Sequence, residues 1–246
     1  MSEKARRDCD WCGLRRICFP ARLPTNAGMG PGALGIRGVQ LPRGRALYRA
    51  GDRLDGFHMI RSGCVKEIER IAGNEAIVDF RLPGELLTVQ GPAGTRSRIT
   101  CVAVEPSNLC AVPWRSFLAI CGRFPAVNGE MVRALAANAA GTRELLATVR
   151  DKAALERVAA FLASLCARMQ VRGLPAQELR LGMGRDDIAA YLGLRSETVS
   201  RCFSELERRA VVRVRAKRVR ILSAERLRRL ARREGEARAP AVGHAG

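Results

Sequence analysis

Short apolar runs separated by turn residues dominate the chain between residues 39 and 113. The turn signals include Gly51-Asp52, Ser62-Gly63 and Gly73-Asn74. Runs of about four to seven residues, repeated about every ten residues, predict an antiparallel barrel or roll. From residue 126 the apolar period becomes helical. This change of period predicts an α+β fold in which a sheet domain precedes helices.

The helical period over residues 126–150 predicts a long helix whose a and d positions form a dimer seam. The seam positions are Met131, Leu135, Asn138, Thr142, Leu145 and Val149. Asn138 and Thr142 are polar, so the middle of the seam is weak and dimerisation is easy to change. The alternative is an ordinary amphipathic helix that packs on its own domain.

Residues 185–209 have the pattern of two short helices joined by a tight turn, which is a helix-turn-helix. Gly193 supplies the turn, because glycine adopts positive φ at little cost. We expect Ser196 to cap a second, DNA-reading helix over residues 196–208. Its predicted buried residues are Val199, Phe203 and Leu206, and its predicted exposed residues are Glu197, Ser200 and Arg201.

Basic residues are concentrated in the same region. Residues 180–235 contain 16 Lys or Arg against 7 Asp or Glu, and the whole chain carries a net charge of +19. This excess points to a polyanion, either nucleic acid or an anionic membrane surface. Residues 211–222 alternate apolar and basic side chains, which predicts a two-stranded wing against phosphates. Arg201 suits guanine and Glu197 suits the cytosine amino group, although an exposed ion pair between them is the alternative.

Three cysteines near the amino terminus, Cys9, Cys12 and Cys18, follow the spacing C-x2-C-x5-C. The sequence shows neither a signal peptide nor a membrane span, so we expect a cytoplasmic protein with no membrane partner. Thiols stay reduced there, and nine cysteines then favour a metal or an iron–sulfur cluster over disulfides. Neither histidine has a nucleophile at a suggestive spacing, so the sequence predicts no enzyme.

The pattern over residues 39–222 resembles the Crp/Fnr family of bacterial transcription regulators. The resemblance rests on Leu82-Pro83-Gly84-Glu85-Leu86 and on the phrase from Asp187 to Arg201. Within that phrase, Glu197, Ser200 and Arg201 match the recognition triplet of the fumarate and nitrate reduction regulators. The resemblance implies a jelly-roll-like β-roll of the cyclic-nucleotide-binding type, a long dimerisation helix and a winged helix-turn-helix. It also implies a homodimer on a palindromic TTGAT-type DNA site, with RNA polymerase as a further partner.

The resemblance further implies an oxygen-labile [4Fe–4S] cluster bound by Cys9, Cys12, Cys18 and one distant cysteine, and hence a regulator of the low-oxygen response. Cys110, two residues before Val112-Pro113, matches the distant ligand, and Cys101 is the alternative. Four thiolates also suit a structural zinc ion. Gly84-Glu85-Leu86 followed by Arg96-Ser97 leaves a cyclic-nucleotide-responsive regulator as a third possibility.

The resulting domain prediction has five parts. They are a cysteine-rich segment (1–38), a β-roll (39–125), a dimerisation helix (126–150), a winged helix-turn-helix (151–235) and a disordered tail (236–246). The residues predicted to contact DNA are Arg195, Ser196, Glu197, Thr198, Ser200 and Arg201. Ala210 stands where the family often has glycine, so we expect an altered turn into the wing.

Overall fold

Contacts within the chain divide it into two compact units, Met1–Thr142 and Arg143–Gly246. The structure, a computed structural model, describes residues 12–14, 35–87, 94–123, 128–129, 131–133, 135–136 and 152–232. The predicted seam positions Asn138, Thr142, Leu145 and Val149 lie outside these ranges, as do Cys9, Cys18 and the predicted tail. Among the described residues, no helix is both long and apolar enough to cross a bilayer.

Two antiparallel four-stranded sheets make up the described part of the first unit. Their strands are β1 (Arg37–Leu41), β2 (Ala46–Tyr48), β3 (Gly56–Ser62), β4 (Val65–Ile71), β5 (Asn74–Arg81), β6 (Leu86–Leu87), β7 (Ile99–Ala103) and β8 (Ser107–Pro113). One sheet has the order β1-β8-β3-β6 and the other the order β2-β7-β4-β5. This arrangement confirms the predicted β-roll.

Turn chemistry explains why these strands pair as they do. β4 and β5 are joined by Ala72 and Gly73, whose φ values are +49° and +87°. Positive φ at both central residues belongs to a type I′ turn, whose twist matches that of paired strands. Gly63 is also required, because its φ is +90° and a Cβ there would lie 2.3 Å from the Ser107 hydroxyl.

Two apolar clusters fill the roll, because alternate residues of each strand point to opposite faces. The first, which we call the Cys110 core, contains Ile36, Phe57, Met59, Leu86, Cys110, Val112, Trp114, Phe117 and Met131. The second, the Cys101 core, contains Leu41, Tyr48, Leu54, Ile60, Val65, Leu87, Cys101, Ala103 and Leu109. The two candidate distant cysteines therefore belong to different cores and to different sheets.

Helix α1 (Trp114–Arg123) follows β8 directly and closes the Cys110 core. The ring centroids of Phe57 and Phe117 lie 5.3 Å apart at an interplanar angle of 89°, an edge-to-face contact. Residues 131–133 and 135–136 have helical backbone. Met131 is buried in the Cys110 core and Leu135 packs against it. These two predicted seam residues therefore contact their own roll, as the intramolecular alternative expects.

The described part of the second unit is a helix-turn-helix with a wing, which confirms that part of the predicted fold. Its elements are α2 (Ala154–Val171), β9 (Glu178–Arg180), α3 (Arg185–Leu192), α4 (Ser196–Arg208), β10 (Val212–Arg215), β11 (Arg218–Ile221) and α5 (Ala224–Ala231). The wing strands β10 and β11 form a three-stranded sheet with β9, in the order β10-β11-β9. The strand β9 is not apparent from the sequence pattern.

Candidate DNA-binding surface and cysteine site

The turn between α3 and α4 is built on Gly193, as the sequence predicts. Gly193 adopts the left-handed conformation, with φ 62° and ψ 41°. The Leu194 amide donates to the Ala189 carbonyl at 2.9 Å, which satisfies the end of α3. The Arg157 guanidinium on α2 donates to the Leu192 carbonyl at 3.2 Å. This contact fixes the helix-turn-helix to α2, and no local sequence signal predicts it.

The predicted capping role of Ser196 is wrong. The residue that precedes α4 is Arg195, which has extended backbone and no side-chain cap, so Ser196 is the first helical residue. Its hydroxyl donates instead to the Asp186 carboxylate in the first turn of α3. The hydroxyl thus joins the starts of the two helices. Only the packing of α3 on α4 brings these two side chains together.

Helix α4 has one buried face and one exposed face. Val199, Cys202, Phe203 and Leu206 are buried. Glu197, Ser200 and Arg201 are exposed, as is Arg195, whereas Ser196 and Thr198 are partly buried. Within the described ranges, Arg201 forms no ion pair with Glu197, so the predicted alternative of an i, i+4 pair is absent. Both side chains are therefore available to a ligand.

Contacts at its buried face and last turn hold α4 in a fixed orientation. The Arg185 guanidinium carbon lies 3.4 Å from the centre of the Phe203 ring, a cation–π contact. The Glu207 carboxylate accepts from the Val214 amide at 2.7 Å and so ties α4 to the wing strand β10. A rigid helix with free polar side chains on its outer face suits base recognition in the major groove.

Cys110 and Cys12 are the two predicted cluster ligands that the structure describes. Cys12 is partly exposed, and Cys110 is buried on β8. Cys110 lies directly opposite Gly38 of β1 and Met59 of β3 in the sheet register. The chain that precedes β1 carries Cys9, Cys12 and Cys18. Within the described ranges no three metal-ligating side chains come together.

Cys101 has a different environment from Cys110. It lies on β7, between Tyr48 of β2 and Glu67 of β4 in register. Burial, followed by the nearby Glu67 carboxylate, raises the pKa of the Cys101 thiol well above its ordinary value. Metals bind the thiolate form of cysteine. These surroundings make Cys101 the weaker candidate for a distant ligand.

The side chains that a cyclic-nucleotide pocket would use already form hydrogen bonds within the protein. The Glu85 carboxylate accepts from the Leu82 amide at 2.8 Å and closes its own turn. Arg96 donates to the Gly51 carbonyl at 2.8 Å. The Ser97 hydroxyl donates to the Ile99 carbonyl at 2.6 Å. Because these side chains are engaged within the protein, the structure does not favour their binding the ribose and phosphate of a cyclic nucleotide.

The fold and the α4 surface define a DNA-binding transcription regulator with a β-roll and a winged helix-turn-helix. The Crp-like helix-turn-helix domain matches residues 156–230, and the cyclic nucleotide-binding domain matches residues 38–124. The transcriptional activator protein anr of Pseudomonas aeruginosa is 31% identical over 224 residues, which cover 91% of this chain and 92% of that protein. The chain therefore belongs to the Crp/Fnr family of transcription regulators.

Other relatives agree with this assignment. The fumarate and nitrate reduction regulatory protein of Vibrio cholerae is 31% identical over 224 residues, covering 91% of this chain and 90% of that protein. FixK2 from Bradyrhizobium japonicum shares the fold, with a TM-score of 0.70 and 24% identity over 80% of this chain and 98% of that chain. Family membership supports DNA binding and dimer formation and indicates a role in transcription regulation.

Proposed function

We propose that this chain is an oxygen-responsive transcription activator of the low-oxygen response. In this proposal a [4Fe–4S] cluster bound by Cys9, Cys12, Cys18 and Cys110 promotes dimerisation and binding to a palindromic TTGAT-type site. RNA polymerase is the proposed partner at promoters, and the cytoplasm is the proposed site of action. The observation that carries the proposal is the position of Cys110, on the strand that pairs with β1.

Two features of the described residues support a cluster beside Cys110. The strand β1, which pairs with β8 at Cys110, is the first strand that the structure describes after the cysteine run, so the chain leads from the run toward a direct neighbour of Cys110. The Trp114 indole nitrogen, in the same core, is buried and has no hydrogen-bond acceptor in the described part of the chain. A buried donor without an acceptor is costly, and a cluster sulfide would supply one.

The chemistry that such a group supplies when bound is sensitivity to oxygen, and four thiolates are its ordinary ligands. The chain's own residues would connect cluster binding to dimerisation. Cys110 lies in the core that also contains Met131, so as a cluster ligand it would join the amino-terminal segment to that core. Met131 and Leu135 carry the start of the proposed dimer helix, so packing at Cys110 and packing at that helix share one core. A dimer places two α4 helices about 34 Å apart, one turn of DNA.

Base reading in the proposal belongs to Glu197, Ser200 and Arg201. Arg201 would pair bidentately with guanine O6 and N7, and Glu197 would accept from a cytosine amino group. Arg195, Ser196 and Thr198 lie at the start of the same helix and are proposed to contact the adjacent phosphates or base edges. Arg195, just before α4, is exposed, and Ser196 and Thr198 on α4 are partly exposed, which supports this assignment.

The test is purification without oxygen, followed by an absorbance spectrum, iron and sulfide counts, and DNA binding before and after exposure to air. We expect about four iron and four sulfide per chain, a visible spectrum that air removes, and loss of palindrome binding with it. Zinc without visible absorbance would instead support the structural-zinc alternative.

Three single substitutions sharpen this test. Cys110→Ser should lose iron and the spectrum, whereas Cys101→Ser, which alters the alternative ligand, should retain both. Cys64→Ser is the matched control, because Cys64 is also a buried, free cysteine of the roll. Full anaerobic iron and a normal spectrum in Cys110→Ser would overturn the ligand assignment.

A further inference from the structure

One end of the sheet β1-β8-β3-β6 carries a cavity of about 610 Å³. β1 and β3 begin at this end and β8 stops there, since Arg37 lies opposite Ala111 and Gly56 lies opposite Pro113 in register. The loop before β3, the start of α1 and Gly94 complete the wall. Four separate segments of the first unit therefore converge on one concave site.

Three guanidinium groups line the cavity, each from a different segment. Arg37 is the first residue of β1, Arg53 precedes β3, and Arg115 lies in the first turn of α1. Among the described residues, Asp55 is the only acidic residue of the lining, and its carboxylate lies 3.8 Å from the Arg53 Nε. Arg37 and Arg115 form no ion pair with any residue that the structure describes. Three positive charges therefore face one negative charge.

The sequence around the cavity does not compensate this positive charge. Residues 11–51, 86–104 and 106–129 contain no aspartate or glutamate, and they supply every lining residue outside 53–58. Aspartate and glutamate make up 24 of the 246 residues, so long stretches without acidic side chains are not general in this chain. A concave surface lined by charges of one sign concentrates ions of the opposite sign. The site therefore favours an anion.

The rest of the lining is apolar or neutral. Pro113 and Trp114 contribute apolar surface, as do Phe57 and Val112 of the Cys110 core. His58 is partly buried, and burial lowers the pKa of its imidazole to about 4. A neutral imidazole carries one donor and one acceptor nitrogen. Apolar walls with a few convergent polar groups are typical of sites for small molecules.

Size and lining distinguish this cavity from the sites described above. Its volume lies within the range of roughly 300–1,000 Å³ that small-molecule sites occupy. Glu85, Arg96 and Ser97, which a cyclic-nucleotide pocket would use, are not part of the lining. The cavity belongs to the first unit, whereas α4 and the wing belong to the second. A concave site of this volume fits a small molecule better than an extended acidic protein segment.

We propose that this cavity binds a small organic anion with at least two negative charges, held by Arg37, Arg53 and Arg115. Guanidinium groups donate paired hydrogen bonds to carboxylate and to phosphate oxygens, so the ligand is a polycarboxylate or a phosphate ester. A body of a few carbon atoms would contact the apolar wall. The ligand would touch β1 and β8 beside the register pair of Gly38 and Cys110. It would give the roll a chemical input separate from oxygen.

The test is titration calorimetry on the full chain, prepared without oxygen and kept at constant ionic strength. The probes are succinate and citrate as polycarboxylates, glycerol 3-phosphate as a phosphate ester, inorganic phosphate, and a short polyglutamate peptide. The binding variant is Arg37→Gln with Arg115→Gln. The control variant is Arg43→Gln with Arg45→Gln, which removes the same charge from exposed positions of the roll that do not line the cavity.

We expect at least one organic probe to bind one site per chain with a dissociation constant below about 1 mM. The binding variant should lose at least about 10-fold in affinity, because two charged donors are gone. The control variant should stay within about twofold of wild type, because its exposed charges are screened. Saturating ligand should raise the melting temperature of wild type and of the control variant only. The tighter of the two organic classes identifies the ligand as a carboxylate or as a phosphate ester.

No measurable binding of an organic probe to wild type would overturn the proposal, as would equal affinities of the binding and control variants. Tightest binding of inorganic phosphate would mean an adventitious ion only, and tightest binding of polyglutamate would mean a protein-docking surface. Either result would also overturn it. Arg37→Lys with Arg115→Lys separates charge from folding, because it keeps both charges and should retain part of the affinity. An unchanged melting temperature of the unliganded glutamine variant would confirm that it folds.

Discussion

Different side chains of α4 hold the helix in place and face the proposed DNA ligand. Val199, Phe203 and Leu206 hold the helix in the core, while Glu197 and Arg201 are exposed and do not pair with each other in the described structure. An arginine without a protein partner on a reading helix can donate to guanine with little cost in lost internal contacts. Arg201 is therefore the residue whose removal should change specificity most directly.

We expect Arg201→Ala to cost about 1–3 kcal/mol of binding to the palindrome and to relax discrimination at one base pair. Titration against palindromes substituted at single positions measures both effects. Arg208→Ala is the matched control, because Arg208 is exposed on the same helix but bonds to Glu205. A uniform loss on all duplexes, with unchanged discrimination, would show that Arg201 contacts only phosphate.

Ala210 adopts a conformation that favours glycine. Its φ is +53°, and it lies just after the end of α4. The Ala210 amide donates to the Glu207 carbonyl and the Val211 amide to the Leu206 carbonyl, which together form a Schellman motif. The turn into the wing thus keeps the geometry of a glycine turn although the residue is alanine. Alanine pays a steric cost in this region of backbone space.

Ala210→Gly should therefore raise the free energy of unfolding by about 0.5–1 kcal/mol, since relief of strain exceeds the added entropy of the unfolded chain. Chemical denaturation monitored by circular dichroism measures the change. Ala167→Gly, in the interior of α2, is the control and should lower stability by about the same amount. Destabilisation by both substitutions would contradict the strain at Ala210.

At the level of secondary-structure elements, the second sheet of the roll carries a buried polar row. Tyr48, Cys101, Glu67 and Asp79 are neighbours in register across β2, β7, β4 and β5. Arg81 bridges the two carboxylates, with its Nε 2.9 Å from Glu67 and a terminal nitrogen 3.2 Å from Asp79. Burial raises the pKa of Glu67, and Arg81 opposes that shift. The positive charge of Arg81 thus offsets the cost of burying the two carboxylates.

Removal of Arg81 leaves two buried carboxylates without a counter-charge. We expect Arg81→Met to lower the free energy of unfolding by about 3–5 kcal/mol at neutral pH. Because an uncompensated Glu67 titrates at a raised pKa, stability of the variant should recover as the pH falls and that carboxyl is protonated. Denaturation curves at several pH values test both statements.

Arg98→Met is the control for this element, because Arg98, just before β7, pairs with Glu69 of β4 but is itself largely exposed. Exposed pairs contribute little, so its loss should change stability by less than about 1 kcal/mol. If both variants unfolded at the same denaturant concentration as wild type, the ion pairs of Arg81 with Glu67 and Asp79 would not contribute to stability.

At the scale of the whole molecule, the proposed switch depends on a weak dimer seam. Asn138 and Thr142 are predicted to occupy a and d positions, where polar residues reduce coiled-coil stability. Asn138→Leu with Thr142→Leu should shift the protein toward the dimer and preserve palindrome binding after exposure to air. Analytical ultracentrifugation and DNA titration in air measure the two effects.

Leu145→Asn is the opposing control for the seam and should weaken the dimer even without oxygen. If the leucine double variant binds DNA in air as poorly as wild type, dimer stability is not what oxygen controls.

Local chemistry made much of the fold predictable. The turns at Gly63 and Gly193 depend on positive φ values that few other residues adopt. These turns can therefore be predicted from the sequence without knowing which segments pack against them. The period of three to four residues over 196–208 likewise marks a helix by the face that it must bury. The Ser196 cap was wrong because a hydroxyl has several possible partners, and the packing of α3 on α4 selected Asp186.

The sequence by itself determined that a sheet domain precedes the helices, that two short helices form the DNA reader, and that the second unit is basic, because these follow from local periodicity and composition. Only the tertiary structure decided that Cys110 lies opposite Gly38, that Arg81 joins Glu67 to Asp79, and that the wing arginines stand in opposed pairs. Each of these depends on strand register. Register joins residues distant in sequence and is fixed by the packing of whole faces rather than by any local signal.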